Sequence, residues 1–334
     1  MTGAAADPIY LRSYLAPFAS FLARADVTDI YVNRPGEIWI ECLSGTIERH
    51  DLPALDTATL ARLSRQIAAL SHQGINREHP LLAATLPDGC RIQIVAPPAS
   101  RSALVMAIRK HVAVDMTLSD YVAAGAFDGI RPGTGADNVD RQMAALFAAG
   151  DHAALLALAV RARKNILISG GTSTGKTTFL NTLIAEIPDD ERLIIIEDTP
   201  ELHLRHANAV GLVAARSALG EAAVTTEDLL AASLRMRPDR IILGELRGAE
   251  AYTFLRAVNT GHPGSMTTIH ADSPDRAIEQ LALLVLQTGT RLSREDVVHY
   301  VRNTVDVFVQ LSRTAGRRHV SAIVLRDMAR IAGR

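Results

Sequence analysis

The stretch Gly170-Gly171-Thr172-Ser173-Thr174-Gly175-Lys176-Thr177 decides the fold of this 334-residue chain. It has the G-x-x-x-x-G-K-[S/T] pattern of a phosphate-binding loop, and it lies between the apolar run 165–168 and a helical pattern. Glycines let the backbone curl so that its N–H groups face inward, where they and the helix N-terminus cradle phosphates. The order strand, loop, helix therefore predicts an α/β domain of the P-loop NTPase type.

Each residue type in this loop has a predicted task. Lys176 is expected to reach the β- and γ-phosphates of ATP, and the Thr177 hydroxyl is expected to ligate Mg²⁺. ATP and Mg²⁺ are thus the predicted ligands. The further predicted phosphate-binding residues are Gly170, Gly171, Thr172, Ser173, Thr174, Gly175 and Thr178.

Acidic residues end two more apolar strand patterns. The run 193–196 leads into Glu197 and Asp198, and the run 241–244 leads into Glu245. Ligands of open α/β sheets bind at the carboxyl ends of the strands, so these acids are predicted to face the nucleotide. We assign Glu245 to coordinating Mg²⁺ or water and Glu197 to polarising the attacking water, but the sequence also allows the reverse assignment.

A histidine ends a third strand pattern. Residues 265–269 lead into His270, which has the same topological position as the acids. An imidazole there is predicted to contact the γ-phosphate and to report its loss. His262, His270 and Asp272 do not predict a metal site, because they lack a paired-histidine spacing.

The pattern along the chain predicts two domains. Residues 1–124 predict a smaller α+β domain that begins with an amphipathic helix over 8–24. Residues 125–150 are a predicted linker region, since glycine and aspartate cluster in them. In residues 151–334 strands alternate with helices, which predicts a mostly parallel sheet covered on both faces.

Composition and charge exclude several classes of protein. The chain has 35 basic and 36 acidic residues, so its net charge of −1 does not support direct nucleic-acid binding. Cys42 and Cys90 are too far apart in sequence to form a disulfide framework or a zinc motif. No apolar run approaches the roughly 20 residues that span a bilayer, and residues 1–7 lack the basic start of a secretory signal. A cytoplasmic protein is expected.

Four elements in this order resemble the secretion ATPase superfamily. They correspond to its Walker A, Asp box, Walker B and His box, and they lie at 170–177, 196–201, 242–248 and 260–271. Within that superfamily the chain resembles the traffic ATPases of type IV secretion and conjugative transfer systems. Segments 86–93, 97–98 and 107–110 also fit the N-terminal domain of that family. One departure is Ser173, which stands where the family usually has glycine and raises the question of a stiffer loop.

The resemblance implies a RecA-like C-terminal domain, ATP hydrolysis and a homohexameric ring that energises or switches transport and assembly in a type IV secretion system. Its implied partners are other secretion-system ATPases and inner-membrane channel components, with peripheral association at the cytoplasmic face of the inner membrane. It also implies a nucleotide between the two domains, where Arg91 and Arg109 reach the phosphates and Arg101 is a further candidate. Arg240 and Arg247 are expected to line a neighbouring subunit's interface.

Three other functions stay open at this point. A type II secretion or type IV pilus motor shares the core, although assembly motors of that group often carry a four-cysteine zinc module. A RecA-like DNA translocase finds little support in the charge balance or in 14 aromatic residues (one Trp, six Tyr, seven Phe). A nucleotide-gated scaffold with slow turnover is the non-enzymatic alternative. The pattern does not indicate whether the cargo is protein or DNA.

Overall fold

A computed structural model describes residues 8–110, 117–123, 125–128, 138–215 and 220–326. These residues form two β-sheets with helices packed on them. The first sheet belongs to an antiparallel α+β domain, and the second belongs to a RecA-like domain whose strands are mostly parallel. The predicted fold class is confirmed.

The N-terminal sheet has six antiparallel strands among the described residues. Along the chain they are β1 (Val27–Val32), β2 (Glu37–Cys42), β3 (Ile47–Asp51), β4 (Leu81–Thr85), β5 (Arg91–Val95) and β6 (Val105–Arg109). Their order across the sheet is β3-β2-β1-β6-β5-β4. The helices of this domain are α1 (Pro8–Leu15), α2 (Ala19–Leu22) and α3 (Thr57–Leu70). The apolar face of α3 closes the core with Leu60, Leu63 and Ile67, at spacings of three and four.

The single helix predicted over 8–24 is interrupted. A 3-10 turn at Ala16–Phe18 separates α1 from α2. Pro17 lies in this turn, and it has no N–H to donate to the helical ladder, while its ring crowds the preceding turn. Phe18 is nonetheless buried in the domain core, so the amphipathic pattern correctly marks the face that packs.

In the part of the chain that the structure describes, the C-terminal sheet has seven strands. They are β7 (Ile166–Gly170), β8 (Leu193–Glu197), β9 (Ala209–Val213), β10 (Arg240–Leu243), β11 (Met266–Ile269), β12 (Val307–Thr314) and β13 (Arg317–Leu325). Their order is β13-β12-β7-β11-β10-β8-β9, and β13 alone of these runs antiparallel to its neighbour. Strands β7, β8, β10 and β11 are buried along their whole length, as expected of aliphatic strands covered on both faces.

Helices cover both faces of this sheet. A short helix, α4 (Leu118–Ala123), precedes them in the chain. The covering helices are α5 (Asn138–Ala148), α6 (His152–Arg161), α7 (Lys176–Ile184), α8 (Thr226–Ser233), α9 (Glu250–Asn259), α10 (Pro274–Leu286) and α11 (Arg294–Thr304). Within the described ranges, none of the helices combines the length and the apolar character needed to cross a membrane.

The second half of the predicted linker is helical. Helix α5 lies within 125–150, and its Met143 is buried in the core together with Leu155 of α6. This half is therefore packed structure, because an apolar side chain of α5 contributes to the core of the RecA-like domain. Residues 129–137 of the predicted linker lie outside the described residues. The domain limits themselves stay a prediction.

The two domains are joined by backbone pairing at strand β9. The Val213 N–H donates to the Ala99 carbonyl at 2.8 Å, and the Arg101 N–H donates to the Gly211 carbonyl at 2.9 Å. A single antiparallel bridge lies between these two bonds. Segment 99–101 of the N-terminal domain therefore extends the C-terminal sheet by a short strand.

A buried arginine also lies in the contact between the domains. Arg192 is only 2% exposed, and its Nη1 donates to Oδ1 of Asn33 at 2.8 Å and to Oδ1 of Asn208 at 2.5 Å. Its guanidinium carbon lies 4.0 Å from the centroid of the Tyr31 ring. Because burial disfavours the charged form, it lowers the pKa of Arg192 to about 10. The cation–π contact and the amide oxygens stabilise this charge with groups from both domains.

Candidate nucleotide-binding site

The phosphate loop connects β7 to α7, as predicted. Helix α7 begins at Lys176, and its N-cap residue Gly175 has φ +92°, a conformation that glycine adopts without a steric cost. Ser173 also has a positive φ, +61°. The serine thus adopts the left-handed conformation that a glycine would favour. The loop backbone therefore stays curved at the position where the family that the chain resembles usually has glycine.

A cavity of about 420 Å³ opens above this loop. The predicted residues that line it are Thr172, Ser173, Thr174, Gly175, Lys176, Thr177, Thr178, Glu197, Glu245 and His270. Gly170 and Gly171 do not line it, but their carbonyl oxygens lie 3.1 and 3.5 Å from the Lys176 Nζ. The structure therefore brings together the loop, both acids and the histidine at the carboxyl edge of the sheet.

The Lys176 ammonium is held among polar groups at the floor of the cavity. Its Nζ lies 3.3 Å from each ring nitrogen of His270 and 3.7 Å from Oε1 of Glu245. Burial lowers the pKa of Lys176, while the charge of Glu245 opposes this effect. A phosphate entering the cavity meets this cation, the loop N–H groups and the helix N-terminus on one side.

Glu245 contacts His270 and Arg247 as well as Lys176. Its Oε1 lies 2.9 Å from Nε2 of His270, and its Oε2 accepts a hydrogen bond of 2.6 Å from Nε of Arg247. Arg247 in turn donates to Oδ2 of Asp198 at 3.1 Å. The Glu245 carboxylate is thus placed among Lys176, His270 and Arg247, where a bound triphosphate would also lie.

Two of the predicted residues fit a hard divalent cation. Oε1 of Glu245 is buried without a hydrogen bond of good geometry, and the hydroxyl of Thr177 lines the same cavity. A carboxylate and a hydroxyl are oxygen ligands of the kind that Mg²⁺ selects when it also binds phosphates. The residues present therefore fit the metal that the phosphate loop predicts.

Glu197 is held differently from Glu245. It is 4% exposed, and its Oε1 accepts backbone hydrogen bonds of 2.9 Å from both Glu201 and Leu202. Its Oε2 forms an ion pair with Arg101 of the N-terminal domain. The Arg101 side chain passes so close to Gly211 that a Cβ atom at position 211 would overlap it. Glu197 lines the cavity, but its oxygens are engaged by the protein.

The structure contradicts the predicted place of Arg240. It is fully buried at the start of β10, and its Nε and Nη2 donate to the Glu191 carboxylate at 2.6 and 2.7 Å. This bidentate pair neutralises the guanidinium inside the core, so Arg240 cannot line a neighbour's interface. Arg247, in contrast, is 63% exposed beside the cavity.

Arg91 and Arg109 do not line the cavity of their own chain. They are cross-strand neighbours on β5 and β6 of the N-terminal sheet. Arg109 donates to Oδ1 of Asp29 at 2.9 Å, and its side chain is 44% exposed. That they reach the phosphates therefore stays a prediction.

Other residues of the site are not predicted by the sequence patterns. Arg318 of β13 and Thr268 of β11 both line the cavity. The Thr268 hydroxyl donates to the Gly244 carbonyl at 2.8 Å and so fixes the backbone just before Glu245. A serine- and threonine-rich strand beside the phosphate loop is the pattern that points to Thr268. His262, by contrast, lies with its Nδ1 2.9 Å from the Pro238 carbonyl oxygen, outside the cavity.

Comparisons with known proteins bear on what this arrangement does. The sequence profile of the family described as "Type II/IV secretion system protein" matches residues 136–323. The chain is 38% identical over 326 residues to the type IV secretion system protein VirB11 of Bartonella henselae, covering 92% of this chain and 91% of that protein. It is 40% identical over 320 residues to VirB11 of Brucella suis, covering 93% of this chain and 88% of that protein.

A solved structure matches both domains. The crystal structure of the VirB11 ATPase from the Brucella suis type IV secretion system, in complex with sulphate, superposes with a TM-score of 0.90 at 38% identity. The match covers 96% of this chain and 99% of that chain. The similarity therefore includes the N-terminal domain and is not limited to the phosphate loop.

Proposed function

The chain belongs to the type II/IV secretion system protein family and, within it, to the VirB11 proteins of type IV secretion systems, and we propose that it hydrolyses ATP to energise or switch transport and assembly in such a system. One observation carries the proposal: Lys176, Glu245 and His270 converge on the phosphate loop within one cavity. In the proposed site Lys176 binds the triphosphate, Glu245 places a water and His270 contacts the terminal phosphate.

The proposed chemistry follows from the positions of these side chains. The loop N–H groups and Lys176 hold the phosphates and neutralise their charge. Thr177 and Glu245 would hold Mg²⁺, which supplies charge neutralisation at the phosphate oxygens when bound. His270 contacts the γ-phosphate and is displaced from Glu245 and Lys176 when that phosphate enters.

We assign the attacking water to Glu245 rather than to Glu197. Glu245 contacts the side chains of Lys176, His270 and Arg247, which all line the cavity. Glu197 instead accepts two backbone hydrogen bonds and pairs with Arg101 of the N-terminal domain. A carboxylate that is fixed by backbone N–H groups and by an ion pair between the domains is poorly placed to orient a water. Glu197 instead ties the N-terminal domain to the end of β8, so it couples domain position to the site.

Phosphate release from ATP by the purified chain tests the proposal directly. We expect steady hydrolysis with MgCl₂, a fall to background with excess EDTA, and recovery when MgCl₂ is restored, because the metal neutralises the phosphate oxygens. ATP binding without any phosphate release would overturn hydrolysis and favour the nucleotide-gated scaffold.

We further propose a homohexamer in the cytoplasm, working with other secretion-system ATPases and inner-membrane channel components. Arg91 and Arg109 support an assembly, because both project from the N-terminal sheet and neither lines its own chain's cavity. In the proposed ring they contact the phosphates bound by a neighbouring molecule, and Arg109 exchanges its bond to Asp29 for that contact. Their guanidinium groups suit phosphate oxygens, which they contact with two parallel hydrogen bonds.

The mass in solution tests the ring. With a non-hydrolysable ATP analogue, light scattering is expected to give about six times the 35.9 kDa of one chain. The same measurement without the analogue shows whether nucleotide drives assembly. A monomer under both conditions, at concentrations where the nucleotide is bound, contradicts the ring.

A further inference from the structure

The hairpin formed by β12 and β13 brings an unpredicted arginine to the nucleotide site. A tight turn at Ala315 and Gly316, with φ +49° and +81°, reverses the chain. Strand β12 pairs with β7, which leads into the phosphate loop, and β13 lies outside β12. The hairpin therefore lies on the opposite side of the loop from β11, β10 and β8, whose ends carry His270 and the two acids.

Arg318 of this hairpin contacts the phosphate loop itself. Its Nε donates to the Ser173 carbonyl at 3.1 Å, and a Cβ built on Gly175 would lie 3.4 Å from its Cδ. A guanidinium has five N–H donors, so four remain after this bond. They belong to an exposed side chain that lines the cavity.

The charge of Arg318 differs from those of Lys176 and Arg247 in its partners. Across the described residues, no acidic side chain forms an ion pair with Arg318, whereas Lys176 and Arg247 both contact Glu245. Arg313 stands directly opposite Arg318 in the β12–β13 ladder. Like charges placed opposite each other destabilise a strand pair, and an anion between them removes that repulsion.

We propose that Arg318 binds the α- and β-phosphates of the nucleotide held by its own chain. The acids and His270 mark the γ-phosphate end of the cavity, so the other end of the polyphosphate extends toward the hairpin. The proposal rests on the nucleotide binding proposed above and adds a phosphate-binding residue outside the four motif regions. It also predicts that ADP and ATP use Arg318 equally, because both carry these two phosphates.

Equilibrium binding of fluorescent ADP and of a fluorescent non-hydrolysable ATP analogue, measured with MgCl₂, tests this assignment. In R318A the affinity for both nucleotides is expected to fall about 10-fold, the effect of removing a charge-assisted contact. In R318K the loss is expected to be smaller, because the charge stays but the bidentate fork is lost. The salt dependence of binding is expected to be weaker in R318A than in the unchanged chain.

R317A is the matched control. Arg317 is the adjacent residue of the same strand, so its side chain points to the other face, and it does not line the cavity. R317A removes one positive charge from the same hairpin. We expect its affinity for both nucleotides to stay within about twofold of that of the protein without a substitution, since only screened long-range attraction is lost.

Two readouts distinguish binding from a merely structural role of Arg318. Losing a contact that is made equally in the ground state and the transition state raises KM and leaves kcat at saturating ATP unchanged, so this is the result expected for R318A. If Arg318 only supported the loop conformation, R318A would lower kcat or the melting temperature of the nucleotide-free protein. Unchanged ADP affinity in R318A, or an equal loss in R317A, overturns the proposal. If the protein without any substitution binds neither nucleotide, both the proposed function and the assignment of Arg318 fail.

Discussion

Replacing Lys176 by alanine is expected to lower ATP turnover by about 1,000-fold or more, the scale on which cations that neutralise a transferring phosphoryl group act. The Lys176 ammonium is the cation at the floor of the cavity, 3.7 Å from Glu245 and bonded to the Gly170 carbonyl. Alanine removes the charge and leaves the loop backbone in place. Phosphate release at saturating ATP measures the effect.

Two variants sharpen this test. The chain has only three lysines among 35 basic residues, and Lys110 is bonded to the Arg24 carbonyl in the N-terminal domain. K110A therefore removes the same kind of charge away from the cavity and is expected to keep its turnover. K176R keeps a charge but replaces a compact ammonium by a planar fork, so we expect it to be inactive as well. Normal hydrolysis by K176A would refute the site.

Replacing Glu245 by glutamine is expected to lower kcat by roughly 100-fold or more, as for loss of a general base. The amide keeps the size of the side chain but removes the negative charge that orients water. ATP binding is expected to persist, because Lys176, Thr177 and the loop N–H groups still hold the phosphates and the metal. Binding of an ATP analogue and single-turnover hydrolysis measure the two effects separately.

Comparing E197Q with E245Q decides which of the two acids orients the attacking water. Because Glu197 pairs with Arg101 and accepts two backbone hydrogen bonds, we expect E197Q to lower the free energy of unfolding by about 1–3 kcal/mol. Its loss of turnover is expected to be smaller than that of E245Q. A stable but inactive E197Q together with an active E245Q would transfer the water-orienting role to Glu197.

The sequence predicts the parts of the fold that local patterns encode. The phosphate loop, the strands ending at Glu197 and Glu245 and the strand before His270 all have strong aliphatic or β-branched runs, and the structure confirms those strands. Strand β9 is not predicted, because Ala209–Val213 is short and contains Gly211. Its pairing depends on β8 and on the N-terminal domain, which no local pattern reveals.

The site residues outside the motifs depend on contacts that are distant in sequence. The Ala315-Gly316 turn indicates a hairpin, but only the position of β12 beside β7 brings Arg318 to the loop 145 residues earlier. Arg240 looks like an ordinary strand-end arginine until its pairing with buried Glu191 is seen. Charge and spacing alone cannot distinguish a phosphate-binding arginine from one neutralised in the core.

The pairing of segment 99–101 with β9 also determines how this protein meets other molecules. An uncovered edge strand offers unpaired N–H and C=O groups to strands of other chains and so promotes aggregation. Here the N-terminal domain covers that edge with its own backbone, through the bonds at Val213 and Arg101. Self-association through β9 is thereby blocked for as long as the two domains stay docked. Separation of the domains would expose this edge, so the same contact that fixes domain position also protects the protein from misassembly.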